Sequence, residues 1–402
     1  MYVERDIEKE LLEVQKTTSI ALIGPRQAGK TTLLKNMLSK FENGVYLSFD
    51  DPDVLELFND DIKKFCTRYL EGKTLAVLDE VQYGKDSGRK IKYLIDVAGI
   101  NVWLTGSSEY VLSKETLAPL VGRVALFSLY PFSLSEMLRI RGVSYGSEKE
   151  KGRAIEEHML FGGYPRIVLE ESIEGKKTLL KSILKLILEK DVSLVLGLRP
   201  EEESEIIKVA KVLSLYSGNI VNFTNISAAT QIEYKKVKKY ASALEMAYLV
   251  KFVQPFFTNK LKEIVKAPKV FFIDTGIRNS LLSDFRSERP DIGALFENYV
   301  FSELIKMGFE PKYWQSKAGT EIDFIIESDG LIGIEAKYGR VERVSRGVRA
   351  FIDAYKPKKV IILSSTEKTE MVNKTEVIFT GIENLKQILK NHAQKSSSDV
   401  SP

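Results

Sequence analysis

Ile20-Ala21-Leu22-Ile23-Gly24-Pro25-Arg26-Gln27-Ala28-Gly29-Lys30-Thr31-Thr32 decides how the rest of the chain is read. Four apolar residues run into a segment that fills every fixed position of G-x-x-x-x-G-K-[ST], and a helix-like run follows. Phosphate binding needs these residue types in this order. Glycines let backbone N–H groups curl round the phosphates, a lysine reaches the β and γ oxygens, and a hydroxyl holds Mg²⁺. The segment Gly24, Pro25, Arg26, Gln27, Ala28, Gly29, Lys30, Thr31 and Thr32 is therefore the expected phosphate-binding loop of a nucleotide, with Mg²⁺ as its metal.

A second motif lies downstream. Leu75-Ala76-Val77-Leu78-Asp79-Glu80 is an apolar strand ending in two acids, of which Asp79 can hold Mg²⁺ through water and Glu80 can orient the attacking water. Val45-Tyr46-Leu47-Ser48-Phe49, Val102-Trp103-Leu104-Thr105 and Val124-Ala125-Leu126-Phe127 repeat the short apolar pattern with helix-length segments between them. Strands so apolar are buried on both faces, which predicts a mostly parallel sheet and an α/β class. After Pro131 the period becomes helical, with Leu179, Leu180, Ile183, Leu184, Ile187 and Leu188 at i, i+3, i+4 spacing.

The organisation expected from this pass is α/β and multidomain. An ATPase core occupies 1–149, a helical lid 150–210, a winged-helix domain 211–275, a further α/β domain 276–390 and a disordered tail 391–402. The 402 residues carry 59 Lys+Arg against 55 Asp+Glu, so the total charge of +4 neither demands nor excludes nucleic acid. An apolar fraction of 44% excludes wholesale disorder. A single cysteine, Cys66, excludes an internal disulfide, and Met1-Tyr2-Val3-Glu4-Arg5-Asp6 lacks the layout of a signal peptide. The expected address is the cytoplasm, with no membrane partner.

These motifs resemble the AAA+-type P-loop ATPases, and within them the prokaryotic family whose ATPase core is joined to a C-terminal domain of unknown function. The resemblance is carried by the nucleotide loop, Leu78-Asp79-Glu80-Val81-Gln82, Thr105-Gly106-Ser107-Ser108, Gly122-Arg123 and Gly162-Gly163-Tyr164-Pro165. It implies that Ser107 is a polar sensor facing the γ-phosphate. It further implies that Arg123 is an arginine finger acting in trans within a homo-oligomer. Pro165 would pack on the base, and Arg166 would serve as a lid sensor.

From Phe223 to Phe257 the order is short helix, turn, longer helix and apolar strand, a winged-helix layout. Lys235, Lys236, Lys238 and Lys239 lie opposite Val237, Tyr240, Leu244 and Tyr248 on the longer helix. Between Glu233 and Lys269 nine lysines stand against three glutamates, so this segment holds more than the whole chain's net charge and suits a DNA backbone. In the last domain Asp323 lies on one strand-like run, and Glu335 and Lys337 share a face of the next. Two acids and a lysine are what a metal-dependent phosphodiesterase requires, and Glu297 on the preceding helix adds a third oxygen ligand for Mg²⁺ or Mn²⁺. This pattern resembles the PD-(D/E)xK restriction-endonuclease-like superfamily. Arg340, Arg343, Arg346 and Arg349 recur every three residues, and a helix there presents a basic stripe beside the acids. The resulting expectation is an ATPase coupled to a DNA-binding, DNA-cleaving half. The alternative is a nucleotide-dependent switch that binds protein partners and carries an inactive nuclease-like domain.

Overall fold

A computed structural model describes residues 2–106, 116–143, 147–197, 202–257, 263 and 266–390. Five strands form the first sheet: β1 (Ser19–Ile23), β2 (Gly44–Ser48), β3 (Leu75–Asp79), β4 (Asn101–Gly106) and β5 (Val124–Ser128). Their order is β2-β3-β4-β1-β5 and every pairing is parallel. The expected sheet is therefore present. β1 and β3 are buried along their whole length, as their uninterrupted apolar composition requires, because helices cover both faces. Parallel pairing brings all carboxyl ends to one edge, and β4 lies between the strand that precedes the nucleotide loop and the strand that ends in Asp79.

Helices Glu148–Phe161, Pro165–Leu169 and Ile173–Leu186 follow, and the last continues through a π-helical stretch, Ile187–Val192, into Ser193–Leu196. Three helices, Glu203–Leu215, Phe223–Thr230 and Tyr234–Met246, lead to an antiparallel pair, β6 (Val250–Val253) and β7 (Lys269–Phe272). Asn222 caps the middle helix by accepting from Thr224 N and Asn225 N.

The last unit starts with helix Ile292–Lys306 and the meander β8 (Lys312–Gln315), β9 (Glu321–Ser328) and β10 (Gly330–Ala336). Helix Arg346–Tyr355, β11 (Lys359–Leu363), β12 (Lys368–Val372) and β13 (Thr375–Thr380) complete it. The mixed sheet runs β12-β13-β11-β10-β9-β8, with β10 parallel to β11 and antiparallel to β9. One apolar core runs from Phe132 to Leu389, so the helical segments, the β6–β7 pair and this sheet share an interior that the sequence divides into three units.

The arginine stripe is corrected by the structure. Arg340 and Arg343 lie in an irregular segment, and the helix starts only at Arg346. Ser345 sets that start by accepting from Val348 N, and Gly339 upstream has a left-handed φ of 91°. All four arginines are exposed, but Arg340 pairs with Glu342 at 2.9 Å and the four do not share one helical face.

Candidate active site and the carboxylate cluster

The loop after β1 is shaped by close backbone approaches. Gly24 has φ 143°, and a Cβ there would stand 2.1 Å from Leu129 O, so this position admits no side chain. Gly29, at φ 98°, precedes helix Lys30–Leu38, whose N-terminus faces the loop. Arg5 holds the loop from outside: its Nη1 donates to Ala28 O at 3.0 Å, its Nη2 to Tyr130 O and its Nε to Glu136 at 2.9 Å. Pro165 Cγ lies 3.8 Å from where a Gly29 Cβ would be, which places the Gly162-Gly163-Tyr164-Pro165 turn against the loop.

Lys30 is 6% exposed and donates to Gly24 O at 2.8 Å and Pro25 O at 2.9 Å. Burial pushes its ammonium down to about 8, although Glu80 and Asp191 pull the other way. Thr31 Oγ1 donates to Asp79 Oδ2 at 2.8 Å, and Tyr46 OH donates to the same oxygen at 2.6 Å. Thr105, at the end of β4, donates to Asp79 Oδ1 and accepts from Glu80 N at 3.0 Å. This hydroxyl therefore fixes both acids at once. Glu80 sits at φ 56°, a left-handed conformation that costs a non-glycine residue about 1–3 kcal/mol and persists only where surroundings impose it. Burial raises its carboxyl above the ordinary range, partly offset by Lys30, which suits a group that takes a proton from water. Gln82 donates to it.

Thr105 and Tyr46 are absent from the residues expected on sequence grounds. A polar residue ending a core strand is the signal that could have found Thr105; Ser107, the expected sensor, lies outside the described residues. Arg123 is placed at the opposite edge of the sheet from the nucleotide loop, where it is partly exposed and pairs with Asp96 at 2.7 Å. It cannot reach its own loop from that edge. Arg166 is exposed beside Leu169 and Glu170. The Gly162-Gly163 pair has a packing purpose: Gly163 N donates to Asp274 at 2.8 Å, and a Cβ on Gly163 would meet Phe132 O at 2.2 Å.

In the C-terminal half, Asp323 and Glu335 are both buried, and Ala336 N donates to Asp323 Oδ2 at 2.7 Å. Lys337 Nζ lies 2.9 Å from Glu335 and 3.8 Å from Asp323. Glu297 feels the Asp323 charge but faces Lys269 of β7 at 3.3 Å, and Lys269 also lies 3.4 Å from Glu321. Burial raises the carboxyls of Glu297, Asp323 and Glu335, and the Asp323 charge adds to the rise in the other two. Lys269 and Glu321 were missed because contacts between distant strands leave no local pattern. The expected metal triad is corrected in one respect: among the described residues no three acidic, His or Cys side chains form a ready-made metal group. Glu297 is drawn toward one lysine and Glu335 toward another. Glu335 Oε2, however, is buried without a hydrogen-bond partner.

Of the four helix lysines, Lys235, Lys238 and Lys239 are exposed, whereas Lys236 pairs with Glu205 at 3.1 Å. Lys238 also lies 5.6 Å over the Tyr234 ring. No helix among the described residues is long and apolar enough to cross a membrane.

The AAA domain family model matches residues 16–138, and two models described as domains of unknown function, DUF8612 and DUF4143, match 152–288 and 292–383. An uncharacterized protein of Methanocaldococcus jannaschii is 28% identical over 378 residues, covering 89% of this chain and 82% of its own. An uncharacterized protein of Mycobacterium tuberculosis is 27% identical over 354 residues, covering 85% and 76%. A Walker-type ATPase of Pyrococcus abyssi superposes with a TM-score of 0.45 at 17% identity, over 70% of this chain and 96% of its own. Over residues 16–138 the chain matches the AAA domain family model, and within that stretch the nucleotide loop, paired acids and bridging threonine lie on one edge of a parallel sheet.

Proposed function

We propose that the protein binds and hydrolyses Mg-ATP and uses the nucleotide state to control a DNA-binding, nuclease-like C-terminal half. The observation that carries the first part is the convergence of Lys30, Thr31, Asp79, Thr105 and Glu80. Thr31 and Asp79 supply hard oxygens side by side and would hold Mg²⁺, which when bound would supply charge neutralisation for the phosphates. Lys30 exchanges its loop carbonyls for the β and γ oxygens. Glu80, its proton affinity raised by burial, orients the attacking water. Arg123 serves a neighbouring subunit's nucleotide in a homo-oligomer. Glu80→Gln is expected to keep nucleotide affinity while lowering turnover by about 10²–10⁴-fold, measured as phosphate release against fluorescent-nucleotide binding. Unchanged turnover removes Glu80 from this role.

For the second part, helices Phe223–Thr230 and Tyr234–Met246 with the β6–β7 pair read as a winged helix presenting Lys235, Lys238 and Lys239 to phosphates. The helix, meander, helix, strand order around Asp323 and Glu335 reads as a PD-(D/E)xK-like fold. The buried, unpartnered Glu335 Oε2 fits a hard cation, Mg²⁺ or Mn²⁺, shared with Asp323. Replacing Lys235 and Lys239 by Glu is expected to reduce the salt slope of duplex DNA binding by about 2. A slope equal to that of the unaltered protein refutes the assignment. The lysine pairs at Glu297 and Glu335 favour a second reading, in which the nuclease-like domain is inactive and the switch acts on protein partners. Salt-insensitive DNA retention, with no Asp323-dependent cleavage in Mg²⁺ or Mn²⁺, selects that reading.

A further inference from the structure

Arg26, the second variable residue of the nucleotide loop, reaches out of the ATPase domain. Its Nη2 lies 2.9 Å and its Nε 3.1 Å from Asp191 Oδ1, with Nε 3.4 Å from Oδ2. Asp191 is fully buried and belongs to the π-helical stretch Ile187–Val192, the one irregular part of the long helix that starts at Ile173. Such bulges cost helical hydrogen bonding and concentrate at functional sites. Arg26 is also drawn electrostatically to Glu80. Arg26 therefore stands between the acid that orients water at the terminal phosphate and an acid on the helical segment. Five charges converge there: Lys30 and Arg26 against Asp79, Glu80 and Asp191, one negative charge in excess before any phosphate arrives.

We propose that Arg26 is a ligand of the terminal phosphate and that Asp191 competes with that phosphate for it, so that binding ATP, but not ADP, loosens the helical segment from the nucleotide loop. This rests on the reading of the loop as an ATP site. A guanidinium prefers a bidentate anion partner, and a phosphate carrying more charge than a carboxylate is the stronger one. Arg26 keeps about a fifth of its side-chain surface exposed, so it has room to turn toward the loop. Two anions sharing one cation bind with opposite preference, and the coupling is reciprocal: whatever Asp191 costs the nucleotide, the nucleotide costs the Arg26–Asp191 contact.

The test uses the full chain, with ADP and a non-hydrolysable ATP analogue as probes. Asp191→Asn is expected to tighten the analogue by about 5-fold or more while leaving ADP within about 2-fold. Arg26→Gln is expected to weaken the analogue selectively, and in its background Asp191→Asn should have no further effect. Amide exchange across residues 187–196 should rise with the analogue and not with ADP in the unaltered protein, a readout independent of how well any variant folds. Equal effects on ADP and analogue, an Asp191→Asn effect that survives Arg26→Gln, or exchange that does not distinguish the two nucleotides overturns the proposal. Failure of the unaltered protein to bind either nucleotide instead overturns the ATP-site reading, and this inference with it.

Discussion

Raising the pH from 7 to 9 is expected to weaken nucleotide binding about tenfold, and the cause is a single proton on Lys30. Without nucleotide its ammonium is buried against the carbonyls of Gly24 and Pro25, and burial brings it from the ordinary 10.5 down to about 8. A diphosphate replaces carbonyl dipoles with full negative charges and returns the group to the upper range. The free protein then holds about 0.9 of a proton at pH 7, half at pH 8 and about 0.1 at pH 9, whereas the complex holds all of it. Binding must take up the difference. Affinity is nearly flat below pH 8 and falls about tenfold per unit above it. The assay is calorimetric titration with ADP in EDTA, so that Lys30 is the charge under test, in two buffers of different ionisation heat at pH 7, 8 and 9. Uptake of about half a proton at pH 8 is expected, and Lys30→Arg, which stays charged, should lose the dependence. An affinity constant across pH 7–9, or proton release, refutes the reasoning. The sign for folding is opposite: between about 8 and 10.5 the unfolded chain binds the proton and the folded one does not, so stability without nucleotide rises across that window.

Thr105→Val takes the Thr105 donor from Asp79 Oδ1, while Thr31 and Tyr46 still serve Oδ2, and leaves Glu80 N without that acceptor, each loss costing about 1–3 kcal/mol. Turnover should fall by about 10²-fold through the displaced acids while ADP affinity changes little, and unaltered steady-state turnover refutes the bridging role. In the C-terminal cluster the raised carboxyls of Glu297 and Glu335 bind protons that the unfolded chain releases, so stability falls as pH rises through their titration. Asp323→Asn keeps an acceptor for Ala336 N and removes the charge both glutamates feel. Its melting temperature should exceed that of the unaltered protein by about 2–4 °C at pH 8 and by less at pH 6, and a lower value at pH 8 refutes the account.

The elements of the ATPase domain are legible in the sequence because each is locally encoded. β1 and β3 are apolar runs ended by a glycine and by an acid, and the residues proposed to bind phosphate are contiguous from Gly24 to Thr32. Asp323, Glu335 and Lys337 are legible for a similar reason, since antiparallel pairing of neighbouring strands brings Ile334 opposite Phe324 and so sets the acids side by side. What the sequence hides is contributed across the fold. Thr105 reaches Asp79 only because β4 inserts between β1 and β3, and Lys269 reaches Glu297 only because β7 packs on helix Ile292–Lys306. The arginine spacing misleads for the converse reason. A period of three suggests a helix, but Gly339 and the Ser345 cap decide where that helix begins.

The placement of apolar and polar contacts says where a nucleotide signal must travel. Asn298 on helix Ile292–Lys306 accepts from Phe272 N and donates to Phe272 O, both at 2.8 Å, so it completes β7 as a further strand would. Ser302 donates to Ile273 O, and Ser217 donates to Asn298. With the shared core from Phe132 to Leu389, these bonds make the helical segment, the basic helix and the carboxylate cluster one packed body. The sheet of the ATPase domain has separate cores on its two faces. Between the two bodies the contacts include several charged ones: Arg26 with Asp191, Arg5 with Glu136, and Asp6 with Arg139 and Lys386. A densely packed interior resists graded deformation, whereas ion pairs exchange partners readily when a new anion arrives. A phosphate at Arg26 therefore acts at a junction built to respond to charge. Because Lys269 of β7 is fixed within the same body as Asp191, a shift of that body relative to the sheet carries the basic helix and the carboxylates together.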